Sequence, residues 1–452
     1  MKLGNAFLAI LSLGVIFTSC KKNDDPQGSE ETVVIANGGT LTGTYKSGQR
    51  VVVTKGTVTL NGYTYFEEGS TLTIEPGTVI KSSVENKGAL IIERGAKIMA
   101  DGTAAAPIVF TSGRAAGQRN PGDWGGIIIL GRATTNLTNP TIEGGVGRQY
   151  GGTIDTDNSG VLRYVRIEYA GIAAQPGSEI NGLTLGGVGS GTVIDHIQVS
   201  YGNDDAFEFF GGTVNAKHLI AFATADDDFD FDNGYRGKIQ FAVALRDPAF
   251  VDGGDAGNGI ECDNNANGTD ATPRTRPNIS NMTILGPNGA ANTAANHNFA
   301  NRFRRATAFI LNNSVMIGHP DGGLSLESNG TYSSLIDGTS QFNNNVVFAL
   351  AAPYKLGSDV TVAGATAAAI EAKAAASGSV KLASATEAGI NGAFTLNAPN
   401  FLPSAGSILL AGAAFTGDQN DTFFEKISYK GAFGATNWTS GWASFTPQTN
   451  TY

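Results

Sequence analysis

The sequence predicts an all-β chain that folds as a right-handed parallel β-helix and ends in a short C-terminal capping region containing one helix. An internal repeat carries this prediction: residues 195–212 align with residues 217–234, and each matched pair is 22 residues apart. An earlier, shorter copy is expected where residues 69–81 align with residues 88–99, at an offset of 19 or 18. Composition agrees, because 61 Gly residues separate short apolar runs and only 15% of the chain is charged. Such short strands bury their apolar faces only by stacking on neighbouring repeats.

The β-helix is predicted over residues 36–350, and the C-terminal rungs and cap over residues 351–452. In the second region, the Ala-rich run 363–376 predicts one helix. The aromatic residues of 423–445 are expected to cover the last rung. An antiparallel sandwich is the alternative fold, but it does not require a fixed residue-for-residue offset.

The first 19 residues have the pattern of a signal peptide. Lys2 gives a positive start, residues 6–17 form an apolar run too short to span a bilayer comfortably, and small residues precede Cys20. This ending resembles a lipobox, which implies that Cys20 is lipidated and becomes the mature N-terminus. An ordinary signal peptide followed by a chance cysteine is the alternative.

Residues 20–35 are expected to form a flexible tether, since the segment is polar and rich in charge. Its KKNDD run, directly after the cysteine, resembles the charged export signal of surface-exposed lipoproteins in Bacteroidota. That resemblance implies a lipid-anchored protein in the outer leaflet of the outer membrane. An anchor that faces the periplasm is the alternative.

Alternation along each copy of the repeat assigns side chains to the two faces of a strand. Phe207 and Phe229 are expected inside the solenoid, and Cys262 is expected to be a small buried hydrophobe rather than a nucleophile. The carboxylates fall on the opposite face, where stacking in register makes them a column. The candidate metal ligands of this column and its corners are Asp205, Glu208, Asp227, Asp230, Asp232, Glu261 and Asp263.

Three explanations of this acidic column stay open. Two carboxylates about 5 Å apart repel by roughly 1 kcal/mol in water and roughly 3 kcal/mol at an effective dielectric near 20. Calcium offsets that repulsion in the first explanation, because hard cations prefer clustered oxygen ligands. In the second, nearby bases such as Lys217, Arg236 or Lys238 pair with the acids. In the third, the face is well solvated and the cost is small.

Other polar residues give weaker indications. His196 and His218 are expected to stack on the outer side of their strands, where two imidazoles without a third nitrogen or sulfur ligand make a poor transition-metal site. Arg302, Arg304 and Arg305 either grip an anionic sugar or pair with acids one rung away. The net charge of −10 argues against nucleic acid as a partner, because phosphate binding needs a basic surface.

Segments along nearly the whole mature chain resemble a family of Bacteroidota β-helix surface lipoproteins with a pectate-lyase-like fold. The matching segments include NGYTYFEEGSTLTIEPGTVIK, DWGGIIILGRA, DDAFEFFGGT and the closing YKGAFG with the tryptophans after it. The family implies a neighbouring outer-membrane receptor and no established catalytic residue. Analogy with pectate lyases implies calcium and a proton-abstracting base, for which Lys217, Lys238 and Arg236 are candidates.

We therefore expect a non-catalytic surface protein that binds glycan, or a receptor, along its solenoid face with the help of calcium. The expected ligand-binding residues are Lys217, Arg236, Lys238 and Arg304. The alternatives are a polysaccharide lyase or hydrolase acting on an acidic glycan, and a structural or adhesion protein. Segments 247–257 and 264–277 leave the solenoid beside the acidic column, so they are expected to shape any cleft.

Overall fold

A computed structural model describes residues 31–175 and 178–452 of the chain. The predicted signal peptide at 1–19, the predicted lipidation site Cys20 and the tether up to residue 30 lie outside the described residues.

Short strands dominate the described part of the chain. In chain order the strands are β1 (Glu31–Ile35), β2 (Thr40–Tyr45), β3 (Gln49–Val53), β4 (Thr57–Phe66), β5 (Thr71–Ile74), β6 (Val79–Ser82), β7 (Ala89–Ile92), β8 (Lys97–Asp101), β9 (Ile108–Ser112), β10 (Ile127–Leu130), β11 (Gly160–Glu168), β12 (Ala173–Gln175), β13 (Ser178–Glu179), β14 (Leu183–Gly186), β15 (Val193–Ser200), β16 (Phe207–Phe210), β17 (Asn215–Phe222), β18 (Phe229–Asp232), β19 (Lys238–Leu245), β20 (Ile260–Cys262), β21 (Asn278–Leu285), β22 (Asn301–Phe303), β23 (Ile310–Asn312), β24 (Val315–His319), β25 (Gly322–Leu326), β26 (Val346–Ala349), β27 (Ala352–Leu356) and β28 (Val380–Lys381). The helices are α1 (Asn329–Asp337), α2 (Ala367–Ala376) and the 3-10 turns Ala385–Ala388, Ile408–Leu410, Gly417–Asn420 and Pro447–Thr449.

These strands wind into a parallel β-helix with three sides, as the sequence predicts. Of the described strands, 26 join in one sheet whose strand pairs are parallel, and β12 and β13 form a separate antiparallel hairpin. The first side runs through β1, β3, β5 and β8. It continues into the first halves of the long strands, which are β11, β15, β17, β19 and β21. The second side runs through β6 and β9 into the second halves of those strands. The third side is formed by β7, β10, β14, β16, β18, β20, β22, β25 and β27.

The interior is an aromatic and aliphatic ladder in the predicted register. Phe207 lies opposite Phe229 on the next rung, 22 residues later, and their ring centroids are 5.2 Å apart. Both side chains are fully buried. Cys262 is likewise buried, and its Sγ lies 3.1 Å from the Thr307 hydroxyl. These three inward placements confirm the assignment made from alternation.

One corner of the solenoid is a column of residues in the left-handed region of backbone conformation. It separates the first side from the second, where each long strand bends. Three of its seven residues are Asn, whose short polar side chain tolerates positive φ, and the other four carry Tyr, His or Phe rings. The column contains Tyr164, His196, His218, Phe241, Asn281, Asn313 and Asn344, with φ between 49° and 61°.

Two sequence expectations about the ends of the fold need correction. Residues 31–35, placed in the flexible tether, form β1 and pair with β3, so the solenoid begins at Glu31. The expected alignment of 69–81 with 88–99 is wrong. Strand β5 lies on the first side and β7 on the third, and such short alternating segments look alike whichever side they occupy.

Helix α2 covers the C-terminal end of the interior. Its Ile370 and Ala374 are buried against the main core, which confirms the predicted helix at this position. Thr366 is the N-cap of this helix, and its side chain accepts a hydrogen bond from the Ala369 amide.

The aromatic-rich end of the chain does not cover the last rung, contrary to expectation. Residues 382–452, here called the C-terminal strap, run back along the outside of the second side toward the N-terminal rungs. Side-chain amides of Asn313, Gln240 and Gln198 each hydrogen-bond the strap backbone, at Ala414, Glu425 and Ser444 respectively. The strap buries outward apolar residues of these strands, including Ile220, Val243, Leu245 and Leu285. This apolar outer face, which water would otherwise contact, explains why the strap folds along the side.

Candidate functional site

The outer face of the third side is covered unevenly. Over its N-terminal part lies the covering loop, residues 131–158. Ile142 and Tyr150 of this loop pack on Ile128 and Leu130 of β10, forming an apolar layer outside the solenoid. This layer ends beside the rungs that carry the carboxylates.

Glu208, Asp230 and Glu261 form an acidic ladder on the next three rungs. They lie opposite one another in register on β16, β18 and β20, on the outer face that alternation predicts. They are not well solvated, because the Glu208 side chain is only 7% exposed and Asp230 and Glu261 are half-buried. The explanation that the acidic face is simply hydrated is therefore wrong.

Carboxylates from the adjacent corner join the ladder. Asp205, Glu208 and Asp230 each offer one oxygen, and these atoms lie within 4.8 Å of one another. Asp205 also accepts a hydrogen bond of 2.8 Å from the Asp227 amide, and Asp227 accepts one of 2.6 Å from the Asn258 amide. The two acidic corners, at residues 203–205 and 226–228, thus stack, and each accepts a hydrogen bond from the backbone of the next rung.

Burial and mutual repulsion raise the pKa values of these acids. The pKa values of Asp205, Glu208, Asp227 and Asp230 all lie well above the usual carboxyl range, first because of burial and then because of neighbouring carboxylates. The same causes raise the pKa of Glu261 to about 8, while burial raises the pKa of Asp232 to about 7. Oδ1 of Asp230 is buried without a hydrogen-bond partner among the described residues. The ladder is thus a site where negative charge is stable only with a proton or a cation beside it.

Arginines neutralise one end of the column. Arg304 pairs with Glu261 and, at 3.0 Å, with Asp263, and Arg305 pairs with Asp263 at 2.7 Å. Arg302 lies between Glu261 and Glu327. Pairing of this basic cluster with acids one rung away is confirmed. Glu261 and Asp263 are consequently engaged by arginines, whereas Asp205, Glu208 and Asp230 have no described ion pair.

The other predicted bases lie away from the ladder. Lys217 pairs with Glu425 and Lys238 with Asp421, both at 2.8 Å and both on the C-terminal strap. Arg236 lies 3.4 Å from Asp155 of the covering loop. The expectation that these three bases neutralise the acidic column is wrong. These bases lie on or near the first side, whereas the ladder lies on the third side, and a turn of the chain separates the two sides.

A cavity of about 480 Å³ opens at the ladder. The covering loop contributes Glu143 and Tyr150, and the ladder side contributes Glu208 and Asp232. The Glu143 and Glu208 carboxyls hydrogen-bond each other, and the Asn181 amide donates to both. Sequence reasoning missed Glu143, because its segment belongs to no repeat. The Gly-rich pattern GGVGRQYGG was the available signal of a long excursion from the solenoid.

The two segments expected to shape a cleft do approach the acids. Asn265 and Asn267 of segment 264–277 line the cavity. Asp255 of segment 247–257 lies close enough to raise the pKa of Asp226, after burial the second cause of its shift to about 7.

His196 and His218 stack as predicted, with ring centroids 4.1 Å apart. Asp195 lies 2.9 Å and 2.8 Å from their Nδ1 atoms. These three residues offer ligand atoms within 4.8 Å of one another, but both Nδ1 atoms already face the same Asp195 oxygen. Trp438 and Trp442 of the strap meet the rings edge-on, and the pair serves to hold the strap.

A family model described as "Pectate-lyase like beta helix domain" matches residues 43–442. The chain belongs to this pectate-lyase-like β-helix family. Membership supports a polysaccharide-related role, but nothing finer, because function depends on sites rather than on folds. No curated protein and no solved structure matches the chain.

The residues at the ladder fit the calcium ion that the family's fold suggests. Asp205, Glu208 and Asp230 offer only oxygen ligands, which hard cations prefer. The buried, unpartnered Oδ1 of Asp230 lacks the hydrogen bond that a buried acceptor normally has. A divalent cation would supply the missing interaction and offset the repulsion between these acids.

No described helix is long and apolar enough to cross a membrane.

Proposed function

We propose that this chain is a lipid-anchored cell-surface protein that binds glycan at the outer face of the third side, with calcium held by Asp205, Glu208 and Asp230. One observation carries the proposal: these three carboxylates converge within 4.8 Å while mostly buried, and one of their oxygens has no partner. Clustered buried carboxylates without a pairing base are costly to maintain as anions, so they take up either protons or a cation, and the convergence of three oxygens supports the cation.

The adjoining cavity supports a sugar as the ligand. Its wall combines the rings of Tyr150 and Phe210 with the amides of Asn233, Asn265 and Asn267. Apolar faces with a few placed polar groups are typical of small-molecule sites, and sugar hydroxyls both donate and accept hydrogen bonds. A glycan that also carries carboxylates would reach calcium with its own oxygens.

Binding is tested by isothermal titration with an oligosaccharide panel, in calcium and in chelator. We expect at least one glycan to bind in calcium, with affinity reduced by at least about tenfold in chelator or in Asp230→Asn. Asp359→Asn, which removes an exposed carboxylate elsewhere, is the matched control and should bind normally. Saturable binding whose affinity is changed neither by chelator nor by Asp230→Asn would show that calcium takes no part in glycan binding. No binding by the whole panel would leave a receptor or structural role.

A hydrolase is the second candidate, and Glu143 favours it. Burial raises the pKa of Glu143, which hydrogen-bonds Glu208 at the cavity wall. Protonated Glu143 supplies a general acid for a glycoside, but glycosidases hold their two carboxyls about 5 Å or more apart, so the base or nucleophile has to be a carboxylate other than Glu208. Product release from a bound glycan, lost in Glu143→Gln, would establish this candidate; retention of intact glycan supports binding alone. The lyase alternative is weaker, because Lys217, Arg236 and Lys238 do not reach the ladder.

The anchor is proposed from the leader alone. Labelling of the protein with a fatty-acid analogue in the producing cell should occur and should disappear in Cys20→Ala. Digestion of the protein by protease added to intact cells would support the outer leaflet, and protection would favour a periplasmic orientation.

A further inference from the structure

We propose that the N-terminal rung of the solenoid, formed by β1 and β2, is an interface that joins two copies of this chain head to head. Each strand would pair edge to edge with the same strand of the second copy, in antiparallel orientation. Five rung steps separate β2 from β16, the first strand of the acidic ladder. The inference therefore goes beyond the proposed function and does not depend on it.

One edge of each strand in this rung has no strand partner among the described residues. β1 pairs with β3 and β2 pairs with β4, both on the side of the next rung. The Glu31 amide bonds the Gly48 carbonyl and the Thr54 amide bonds the Ile35 carbonyl, so alternate residues of β1 face that rung. The intervening residues of both strands point their amides and carbonyls out of the end of the solenoid. They are Thr32, Val34, Thr40, Thr42 and Thr44, and all of them are exposed.

This edge lacks the features with which proteins normally protect open strands. Residues 32–45 contain no charged residue and no proline, and β-branched residues make up most of β1 and half of β2. At the other end of the solenoid, the last strand of the third side, β27, carries Pro353 and Lys355, and helix α2 packs against it. Open strands without lysine, proline or a cover pair readily with another strand. The contrast between the two ends favours a strand partner for the N-terminal edge.

The shape of the rung favours a second copy of this chain as that partner. Three glycines, Gly38, Gly43 and Gly48, mark its corners at equal spacing, with φ between 79° and 82°. Val33 is the middle residue of β1, and Gly43 is the corner opposite it. A two-fold axis through these two residues therefore places the triangular rung on the same rung of a second copy, as an isologous dimer requires.

Around this axis the open backbone groups meet in hydrogen-bonding register. The facing pairs, with one residue from each copy, are Thr32 with Val34, Thr40 with Thr44, and Thr42 with Thr42. In an antiparallel ladder, opposed residues of this kind exchange both N–H···O=C bonds. Glu31 supplies the one charged side chain of the two strands, and it falls opposite Ile35 of the second copy. No like charges therefore meet across the interface.

The segment before β1 is a poor competitor for this edge. Residues 20–30 read CKKNDDPQGSE, which contains charged residues, Pro and Gly and no β-branched residue. That composition disfavours a strand. A second copy would also cover apolar surface, because Val33 and Tyr45 at the end of the interior are only half-buried.

Cross-linking at the two-fold axis tests the inference in the producing cell. On mild oxidation, Thr42→Cys should give a disulfide-linked dimer of this chain, because the Cα atoms of such opposed residues lie about 5.5 Å apart. Thr59→Cys is the matched control: Thr59 is also exposed but lies one rung farther in, beside Thr40, and should not cross-link. Absence of the Thr42→Cys dimer would overturn the inference. Cross-linking of Thr42→Cys to a different polypeptide would replace the second copy by another partner and would overturn it too.

Sedimentation velocity of the full chain in mild detergent measures the strength of the contact. Wild type should sediment as a dimer at micromolar concentration. Thr42→Lys, which opposes two lysines on the axis, should raise the dissociation constant by about tenfold, whereas Thr59→Lys should leave it unchanged. Circular dichroism shows whether both variants fold, and if Thr42→Lys does not, the cross-link decides. Monomeric wild type, or a dimer that a folded Thr42→Lys weakens no more than Thr59→Lys does, would overturn the inference.

Discussion

Glu208 and Asp230 stand on neighbouring rungs, and the covering loop places Glu143 against Glu208. On an open sheet face, the same two side chains would repel by roughly 1 kcal/mol; at an effective dielectric near 20 they repel about three times as strongly. Burial raises the pKa values of both carboxyls, and this stronger repulsion raises them further. The raised pKa of Glu208 therefore depends on the covering loop, which brings Glu143 against it.

Asp230→Asn should stabilise the calcium-free protein, because the amide keeps the side-chain size and, unlike Asp230, needs neither a buried charge nor the uptake of a proton on folding. We expect the free energy of unfolding in chelator at pH 8 to rise by about 1 kcal/mol, measured by chemical denaturation. In calcium the sign should reverse, since the variant loses a ligand. Destabilisation in both conditions would mean that Asp230 acts through packing.

Phe229→Ala tests the interior ladder. The ring is fully buried against Phe207, so its loss should lower the free energy of unfolding by about 3–5 kcal/mol. Leu350→Ala, at a side chain that is 45% exposed, should cost far less. A small effect of Phe229→Ala in denaturant unfolding would contradict the inward stacking of the repeat.

Alternation and the 22-residue offset predicted the orientation of Phe207, Phe229, Cys262 and the acidic ladder, because strand register is a local property. They did not predict the partners of Lys217 and Lys238. Those partners belong to a strap more than 180 residues away in sequence, and its docking depends on the whole outer surface.

At the scale of elements, the C-terminal strap is the largest departure from expectation. Its composition, rich in aromatics, predicted burial but could not indicate the surface against which it is buried. The outward positions of β17 and β19 carry Ile220, Phe222, Val243 and Leu245. Apolar residues on both faces of these strands were the signal that a further layer covers the second side.

Trp442→Ala should loosen the strap without unfolding the solenoid. The Trp442 side chain is nearly fully buried, donates from its indole nitrogen to the Trp438 carbonyl, and packs on Tyr164 and His196. We expect limited proteolysis within 382–452 to become about tenfold faster, while far-ultraviolet circular dichroism stays unchanged. Cleavage at an unchanged rate would show that the strap is held by its other contacts, such as the amide hydrogen bonds of Gln198, Gln240 and Asn313.

For the whole molecule, the raised pKa values determine how stability depends on pH. Carboxyls such as Asp226, Asp232 and Glu261, with pKa values of about 7, 7 and 8, hold protons in the folded state that the unfolded chain has released. The stability they contribute is full below about pH 4 and is lost as pH rises toward 8. His297, whose pKa burial lowers to about 4, acts oppositely, but only below about pH 6.5.

Calcium-free protein should therefore lose stability between about pH 5 and 7.5, by up to about 1.4 kcal/mol per pH unit for each carboxyl that still holds its proton in the folded state, and the loss should level off above about pH 8. Denaturant titrations in chelator across this range measure the slope. Calcium should flatten it, because the cation stabilises the ionised form. A flat profile in chelator would indicate that the acids are already neutralised by other means.

The most direct test of the account is the melting temperature of the protein in calcium and in chelator at pH 8, for wild type and Asp230→Asn. A ligand at about one hundred times its Kd contributes about 2.7 kcal/mol, so calcium should raise the wild-type melting temperature by at least about 2 °C. Asp230→Asn should respond little or not at all. Superimposable wild-type melting curves in calcium and chelator would contradict a cation site at the acidic ladder.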